Sequence, residues 1–420
     1  MRCSPLVMLC LVAGSSQAVA QTSFRLFEPQ PEYFAEVQAD AATRTSLMAD
    51  AGSVEHSGGR FSVVSADGNY KLQVGGDIQF RYFGVIGADS DATNENYEGG
   101  FQTGRARVDI GGHIVNPQMT FRILANVNRG TGAFELQDAY GEYLLDENWR
   151  VRCGQFKLPF SREFFSTNPT QVLAIERSLT DAVFRLDRSQ GVQVSYQEDR
   201  WRIFGAFSDG RRNLSTDITN AAEADFALTG RLETRIGEAG WRQFRDLSAF
   251  QGDKFGMLLG LAGHWQQEGS TGALSGSTST VDLFAYTADV GIEGNGWNAF
   301  AAVMGRIIDV EDETLHDIGF VVQGGVFVDP QIELFARYAH IMPDSDRTGG
   351  NDDFGAITVG ATYFFVPRSH AVKFTAEVTY YPSSTSDSAS VISAPNTGIG
   401  LLSDNDGGQV GIGAQLTIVF

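Results

Sequence analysis

The chain has 420 residues, of which 42% are hydrophobic, and a formal net charge of −20 at pH 7. So acidic a balance argues against a nucleic-acid partner, because such proteins meet phosphates with basic surfaces. The 48 glycines weaken helices, and beyond the first 20 residues no apolar run is long enough to cross a bilayer as a helix.

The N-terminus has the features of an export signal. Arg2 supplies a positive charge, Pro5 to Ala13 form a short apolar core, and Ala18-Val19-Ala20 is a small-x-small cleavage site. A membrane anchor would need roughly 20 apolar residues, which this run lacks. Residues 1–20 are therefore predicted to be a signal peptide. Its removal leaves Cys153 as the one cysteine and excludes an intrachain disulfide.

Residues 21–68 show no clean hydrophobic period and are predicted to form a periplasmic leader. The alanine-rich stretch from Glu32 to Ala51 favours a short helix within it. Glycine-containing turns follow at 57–59 and 66–68.

From Asn69 onward apolar and polar residues alternate, as in strands with one apolar and one polar face. The first such strand places Ile78 and Phe80 on one face and Gln79 and Arg81 on the other. The clearest further segments lie near 105–114, 119–126, 226–235, 332–338, 372–380 and 409–420. Weaker ones lie near 134–145, 149–156, 190–196, 201–207, 255–265, 282–292, 297–307, 318–328 and 354–364. An even count of about sixteen such strands is typical of bacterial outer-membrane barrels.

The connections between these segments favour the same fold. Short turns alternate with longer polar loops, and the last strand ends on the aromatic Phe420. A soluble all-β sandwich would also alternate, but the export signal and the unbroken run of strands favour a membrane protein. Residues 69–420 are therefore predicted to form a transmembrane antiparallel β-barrel in the bacterial outer membrane, in contact with its lipid. The long connection 236–253, on the side of the short turns, has no explanation in the sequence.

Charge decides which face of the strands is the lumen. An arginine on the lipid face near the midplane would cost about 2–4 kcal/mol. Arg105, Arg107 and Arg122 lie opposite apolar rows and are therefore predicted to point into a wet lumen. A barrel of about sixteen strands is wide enough for an aqueous channel, so some segment must narrow it.

The predicted constriction loop is Leu158 to Asp187. It is rich in apolar and aromatic residues as well as charged ones, a mixture that suits a loop packed inside the barrel. An outer loop at a subunit interface is the alternative, and both can hold at once.

Three stretches resemble the phosphate-selective porin O/P family: GRARVDIGG at 104–112, LQDAYGEYLL at 136–145, and RVRCGQFKLPFSREFFSTNP at 150–169, with AIERS at 174–178. The resemblance implies a sixteen-stranded barrel, a homotrimer, and uptake of small anions such as phosphate. It also implies an inward arginine row and a basic constriction loop. The residues that fit the row are Arg105, Arg107, Arg122, Arg150 and Arg152, and those that fit the loop are Lys157, Arg162 and Arg177.

The acidic outer loops do not exclude anion passage. The Debye length is about 8 Å at physiological salt, so charges near the constriction decide selectivity. The alternative is that the arginines only pair with acidic neighbours across a solvated lumen; the candidates are Asp109, Asp138, Glu142 and Glu163.

Passive diffusion of small solutes, with preference for anions or phosphate, is the predicted function. A non-selective general porin and a plugged structural or adhesive barrel are the alternatives. An enzyme barrel would need a poised Ser, His and acid set, whereas the six histidines are scattered. No spacing for a metal, nucleotide or haem cofactor is present, so no cofactor is predicted.

Overall fold

The computed structural model describes residues 53–57, 60–87, 97–215, 217, 223–269, 281–310, 313–392, 400–402 and 406–420. The predicted signal peptide and the predicted helix within Glu32 to Ala51 lie outside these ranges. In chain order the described strands are β1 Ser53–Ser57, β2 Arg60–Val64, β3 Lys71–Ile86, β4 Tyr97–His113, β5 Met119–Val127, β6 Phe134–Leu144, β7 Trp149–Lys157, β8 Arg188–Gln197, β9 Trp201–Ser208, β10 Phe226–Gly237, β11 Gly256–Gln267, β12 Asp282–Gly294, β13 Trp297–Val310, β14 Glu313–Asp329, β15 Ile332–Met342, β16 Phe354–Phe364, β17 Val372–Tyr381 and β18 Gln409–Val419.

The sixteen strands β3 to β18 form one closed antiparallel barrel. Each pairs with its neighbours in sequence, and β18 closes the sheet on β3 in a register that runs from Val410 opposite Ile86 to Val419 opposite Asp77. Closure leaves no strand edge unpaired. A sheet that crosses a bilayer must be closed in this way, because unpaired backbone groups are costly in lipid. The predicted barrel and its weaker strands are thereby confirmed, and the sandwich alternative is excluded.

Two short strands precede the barrel, inside the stretch that the sequence places in the leader. β1 and β2 form an antiparallel hairpin. β2 pairs with the first residues of β3, from Phe61 opposite Val74 to Val64 opposite Lys71. The described part of residues 21–68 is thus attached to the first barrel strand.

Burial separates the two faces of the wall. On β10, Arg231 and Glu233 are no more than 1% exposed, whereas Leu228 and Leu232 are nearly half exposed. The same alternation holds along β3, where Gln79 is buried. The polar face therefore points inward, and the apolar face is the one that suits the hydrocarbon of a bilayer.

The two ends of the barrel differ in their connections. The end where β3 begins and β18 ends is called the turn end, and short turns such as 295–296 and 330–331 lie there. The other end is called the loop end. Residues 158–187, between β7 and β8, are called the inner loop, and residues 238–255, between β10 and β11, are called the long turn.

The helical elements of the described residues lie in these two connections. The inner loop holds a π-helical turn, Arg162–Ser166, and helix α1, Leu179–Phe184. Ser178 caps α1 by accepting a hydrogen bond from the Asp181 backbone at 3.0 Å. The long turn holds a 3-10 turn, Gln243–Arg245. Within the described ranges, no helix has the length and apolar character needed to cross a membrane.

Candidate functional site

The inner loop reaches across the lumen to the wall opposite its own strands. The Ile175 backbone N–H donates to Glu377 on β17 at 2.8 Å. Thr180 Oγ1 donates to the Phe320 carbonyl on β14, also at 2.8 Å. Its apolar side chains pack with those of the wall in one cluster; the members include Leu173, Leu179, Phe184, Phe300, Phe335 and Ile341. The loop is therefore held inside the barrel against β13 to β17.

On the other side of the lumen, described residues of the inner loop and of strands β4 to β9 line two cavities. The turn-side cavity has a volume of about 390 Å³ and the loop-side cavity about 670 Å³. Arg107 and Pro169 line both of them, so the cavities adjoin at one level of the barrel. Together they mark a path along one half of the lumen, called the basic path below.

Basic side chains dominate the lining of this path. Among the described residues, twelve basic and four acidic side chains line the two cavities. The basic ones are Arg60, Arg105, Arg107, Arg122, Arg150, Arg152, Lys157, Arg177, Arg185, Arg188, Arg202 and Arg245. The acidic ones are Glu135, Asp138, Glu142 and Asp187. The path is therefore locally positive although the whole chain carries −20.

Four of these cations converge on one aromatic ring of the inner loop, that of Phe164. The Lys157 ammonium lies 5.0 Å from the ring centroid, and the guanidinium carbons of Arg177, Arg185 and Arg188 lie at 4.9, 5.2 and 5.3 Å. A phenyl ring within about 6 Å attracts such cations through its quadrupole. Four basic side chains thus surround Phe164 on the side of the inner loop that faces the basic path.

Two members of this cluster make no ion pair with a carboxylate among the described residues. Lys157 Nζ donates to the Phe164 carbonyl at 2.8 Å. Arg177 donates to the carbonyls of Glu163 at 2.6 Å and Thr167 at 3.1 Å. Burial lowers the pKa of Arg177 to about 9, so its guanidinium remains charged at neutral pH. Backbone carbonyls orient both side chains and bring no negative charge to them.

Most of the predicted arginine row is ion-paired. Arg105 binds Glu176 at 2.6 Å, and Arg122 binds Asp109 and Asp138 at 2.9 and 3.0 Å. Further pairs join Arg107 to Asp77 and Arg152 to Glu142. Although burial opposes ionisation, Arg105 and Arg81 hold the pKa of Glu176 at about 2. Three of the four predicted acids, Asp109, Asp138 and Glu142, thus do pair with arginines of the row. Glu176 and Asp77 were not among the predicted partners, and Glu163 binds Ser178 rather than an arginine.

The structure brings together every predicted site residue except one. Arg150 faces the turn-side cavity and forms no ion pair within the described ranges. Arg162 instead points away from the path and binds Glu293 on β12 at 2.6 Å. It is 1% exposed and lines neither cavity.

Sequence reasoning missed several lining residues. Arg202 alternates with Trp201 and Ile203 on β9, so the period could have identified it. Arg188 begins β8 two residues before the predicted strand. Arg245 lies in the long turn, where the sequence offers no signal. Among the described residues, no cluster of His, Cys, Asp and Glu could hold a metal ion.

Comparisons with known proteins agree with this geometry. Among solved structures, the chain is similar to the outer-membrane expressed OmpT of Vibrio cholerae, at 11% identity and a TM-score of 0.54 over 84% of this chain and 98% of that one. It is also similar to the outer membrane channel DcaP of Acinetobacter baumannii, at 12% identity and a TM-score of 0.55 over 84% and 99%. Identities this low show the fold alone.

A trimer form of in-vitro folded OmpT from Vibrio cholerae is similar too, at 12% identity and a TM-score of 0.52 over 82% and 98%. A search of curated proteins finds no match. The sequence model of the family described as phosphate-selective porin O and P matches residues 72–393. The chain therefore belongs to the phosphate-selective porin O and P family and is a porin of the bacterial outer membrane.

Proposed function

We propose that this porin conducts small anions in preference to cations, by passive diffusion along the basic path. The observation that carries the proposal is the excess of twelve basic over four acidic side chains in the lining formed by the described residues. Local charge governs selectivity because salt screens the acidic surface within about 8 Å. The net charge of −20 therefore does not decide whether the channel prefers anions or cations.

The inner loop is proposed to be the constriction. It packs against one half of the wall and leaves the path on the other half. Lys157 and Arg177 are proposed to contact the passing anion, because their charges are oriented by carbonyls and free of carboxylate pairs within the described residues. The paired Arg105, Arg107 and Arg122 supply N–H donors whose direction their carboxylates fix.

Phosphate is the ligand class that fits this lining best. Arginine offers a planar fork that matches two oxygens of one phosphate, and several arginines line the path at successive levels. Arg150 and Arg152 on β7 are proposed to continue the anion-facing row towards the turn end. The proposal involves no catalysis and no cofactor.

The remaining parts of the chain are proposed to serve export and assembly. Residues 1–20 are inferred to be a signal peptide and residues 21–68 a periplasmic leader, whose described part is the hairpin of β1 and β2. We infer a homotrimer in the outer-membrane lipid, supported by the trimer form of the similar OmpT.

Phosphate block tests this function. With single channels of the purified protein in a planar bilayer, millimolar phosphate added to a chloride solution should reduce the chloride current reversibly. The reason is that a bound phosphate occupies the path that chloride uses. A general porin would show no block, and a plugged barrel would show no conductance.

Replacing Arg105, Arg107 and Arg122 together with Ala should turn the selectivity towards cations. Their removal takes away three positive charges and leaves Asp77 without an ion-pair partner among the described residues. Glu176, Asp109 and Asp138 each lose one of two arginine partners. The reversal potential under a salt gradient reports the change. If it equals that of the wild type, these arginines are not part of the filter.

A further inference from the structure

The long turn is far longer than its position requires. It joins β10 to β11, which are adjacent antiparallel strands paired to their ends at Gly237 and Gly256. Two residues suffice to connect such strands, and other connections at the turn end, such as 295–296 and 330–331, have that length. The extra chain needs a structural reason.

The extra residues extend along the turn end and bind the wall formed by β14 to β16 and the turn that follows. Ser248 Oγ donates to Glu333 on β15 at 2.6 Å. The ring of Phe250 packs on Phe327 and Phe364 at centroid distances of 5.2 and 5.1 Å. Asp246 pairs with a histidine of the turn between β16 and β17, also at 2.6 Å. These contacts are spread over two hairpins, β14–β15 and β16–β17, so the long turn extends across the opening on this side.

The long turn also contacts the underside of the inner loop. The Leu247 backbone N–H donates to the Gln171 carbonyl at 3.1 Å, and the Leu247 side chain joins the apolar cluster that contains Val172 and Leu173. Polar and apolar contacts therefore connect the two segments inside the barrel.

Arg162 of the inner loop contacts both the long turn and the barrel wall. Its guanidinium donates to the Phe244 carbonyl at 3.1 Å and to Glu293 on β12 at 2.6 Å. The wall provides room for it, because a Cβ at Gly291 would overlap the guanidinium. Burying an arginine is costly unless its charge is paired and its donors are used. An arginine here that lines no cavity therefore points to a positioning role.

We propose that the long turn is a floor that closes the β12 to β17 half of the lumen from the turn end. It holds the inner loop against that wall through Arg162, a positioning residue, and so confines conduction to the basic path. This inference rests on one part of the proposed function, namely that the barrel conducts ions. It does not depend on which ions the barrel prefers.

The test measures channel size in three variants of the full chain. One replaces residues 238–255 with Asn-Gly, which connects β10 to β11 directly. The second is Arg162→Gln, and the third is Gly291→Ala, whose added Cβ displaces the guanidinium. The matched control is Gly411→Ala, on the lumen face of β18, where a Cβ meets only ordinary contacts from 3.5 Å outward.

Single-channel conductance of the turn-replaced variant should rise by a factor of about two, since a second path would conduct in parallel with the first. Larger polyethylene glycols should enter it. Arg162→Gln and Gly291→Ala should shift both readouts in the same direction, and Gly411→Ala should match the wild type. Circular dichroism and heat-modifiable mobility confirm that each barrel is folded.

Wild-type conductance and exclusion size in a folded turn-replaced variant would overturn the floor. Should that variant fail to fold, unchanged values in both Arg162→Gln and Gly291→Ala would overturn it instead. A wild-type channel that prefers cations would contradict the proposed function and leave this test intact, because its readout is size rather than sign.

Discussion

Lys157→Glu should reduce the ratio of anion to cation permeability at least tenfold. Lys157 lies among Arg177 and Arg188 around the ring of Phe164 and makes no carboxylate pair within the described residues. A carboxylate there removes one positive charge and pairs with the neighbouring arginines. A tenfold change corresponds to about 1.4 kcal/mol, which a charge reversal at about 5 Å supplies at an effective dielectric constant of about 20.

Reversal potentials under a salt gradient measure this ratio. Lys157→Met should fall between Lys157→Glu and the wild type, because it removes the charge and keeps the length of the side chain. Lys254→Glu is the matched control: its side chain is 67% exposed, forms an ion pair with the exposed Glu238 at 3.9 Å, and does not line the basic path. Equal potentials for Lys157→Glu and Lys254→Glu would exclude Lys157 from the filter.

Arg231→Met should destabilise the barrel by about 3–5 kcal/mol, because it leaves buried charge without its partner. Arg231 on β10 is 1% exposed and binds Glu233 and Asp289, each at 2.8 Å. It also donates to the Phe160 carbonyl at 2.5 Å, which attaches the start of the inner loop to the wall. Loss of the guanidinium therefore weakens both the wall and the loop.

Urea unfolding of the protein refolded into lipid vesicles, followed by tryptophan fluorescence, gives this free energy. Lys254→Met serves as the control, since exposed ion pairs contribute little to stability, and it should unfold with the wild type. Asp289 loses its partner in this variant, whereas Glu233 keeps its pair with Arg202. An Arg231→Met barrel as stable as the control would therefore mean that water enters the wall and solvates Asp289.

The strands could be predicted because lipid and water impose opposite demands on alternate residues. On β10 the charged Arg231 marks the lumen face and the apolar Leu232 marks the lipid face. This alternation identifies a strand without knowledge of its register with the neighbouring strands. Strand boundaries are harder to predict: the sequence pattern places β14 near 318–328, whereas the strand spans Glu313–Asp329. The ends of a strand depend on how far it pairs with its neighbours, and the sequence of one segment does not contain that information.

For the candidate site, the sequence predicts which types of residue line it but not which individual residues face the path. Arg162 and Arg177 lie in the same loop, but Glu293 on β12 binds Arg162, while Arg177 lines the basic path. That distinction comes from contacts between residues far apart in sequence. The sequence predicts a long connection at 236–253, close to the observed long turn, but not its role. Its anchors, such as Glu333 and Phe364, lie about a hundred residues further along the chain.

The sign of the reversal potential of the wild-type protein tests the central claim most directly. Purified protein in a planar bilayer, with a tenfold gradient of potassium chloride, should give the sign expected for chloride, because the basic path repels potassium. The sign expected for potassium would contradict the account, since it would mean that the acidic partners of the arginines, rather than the arginines, govern the path.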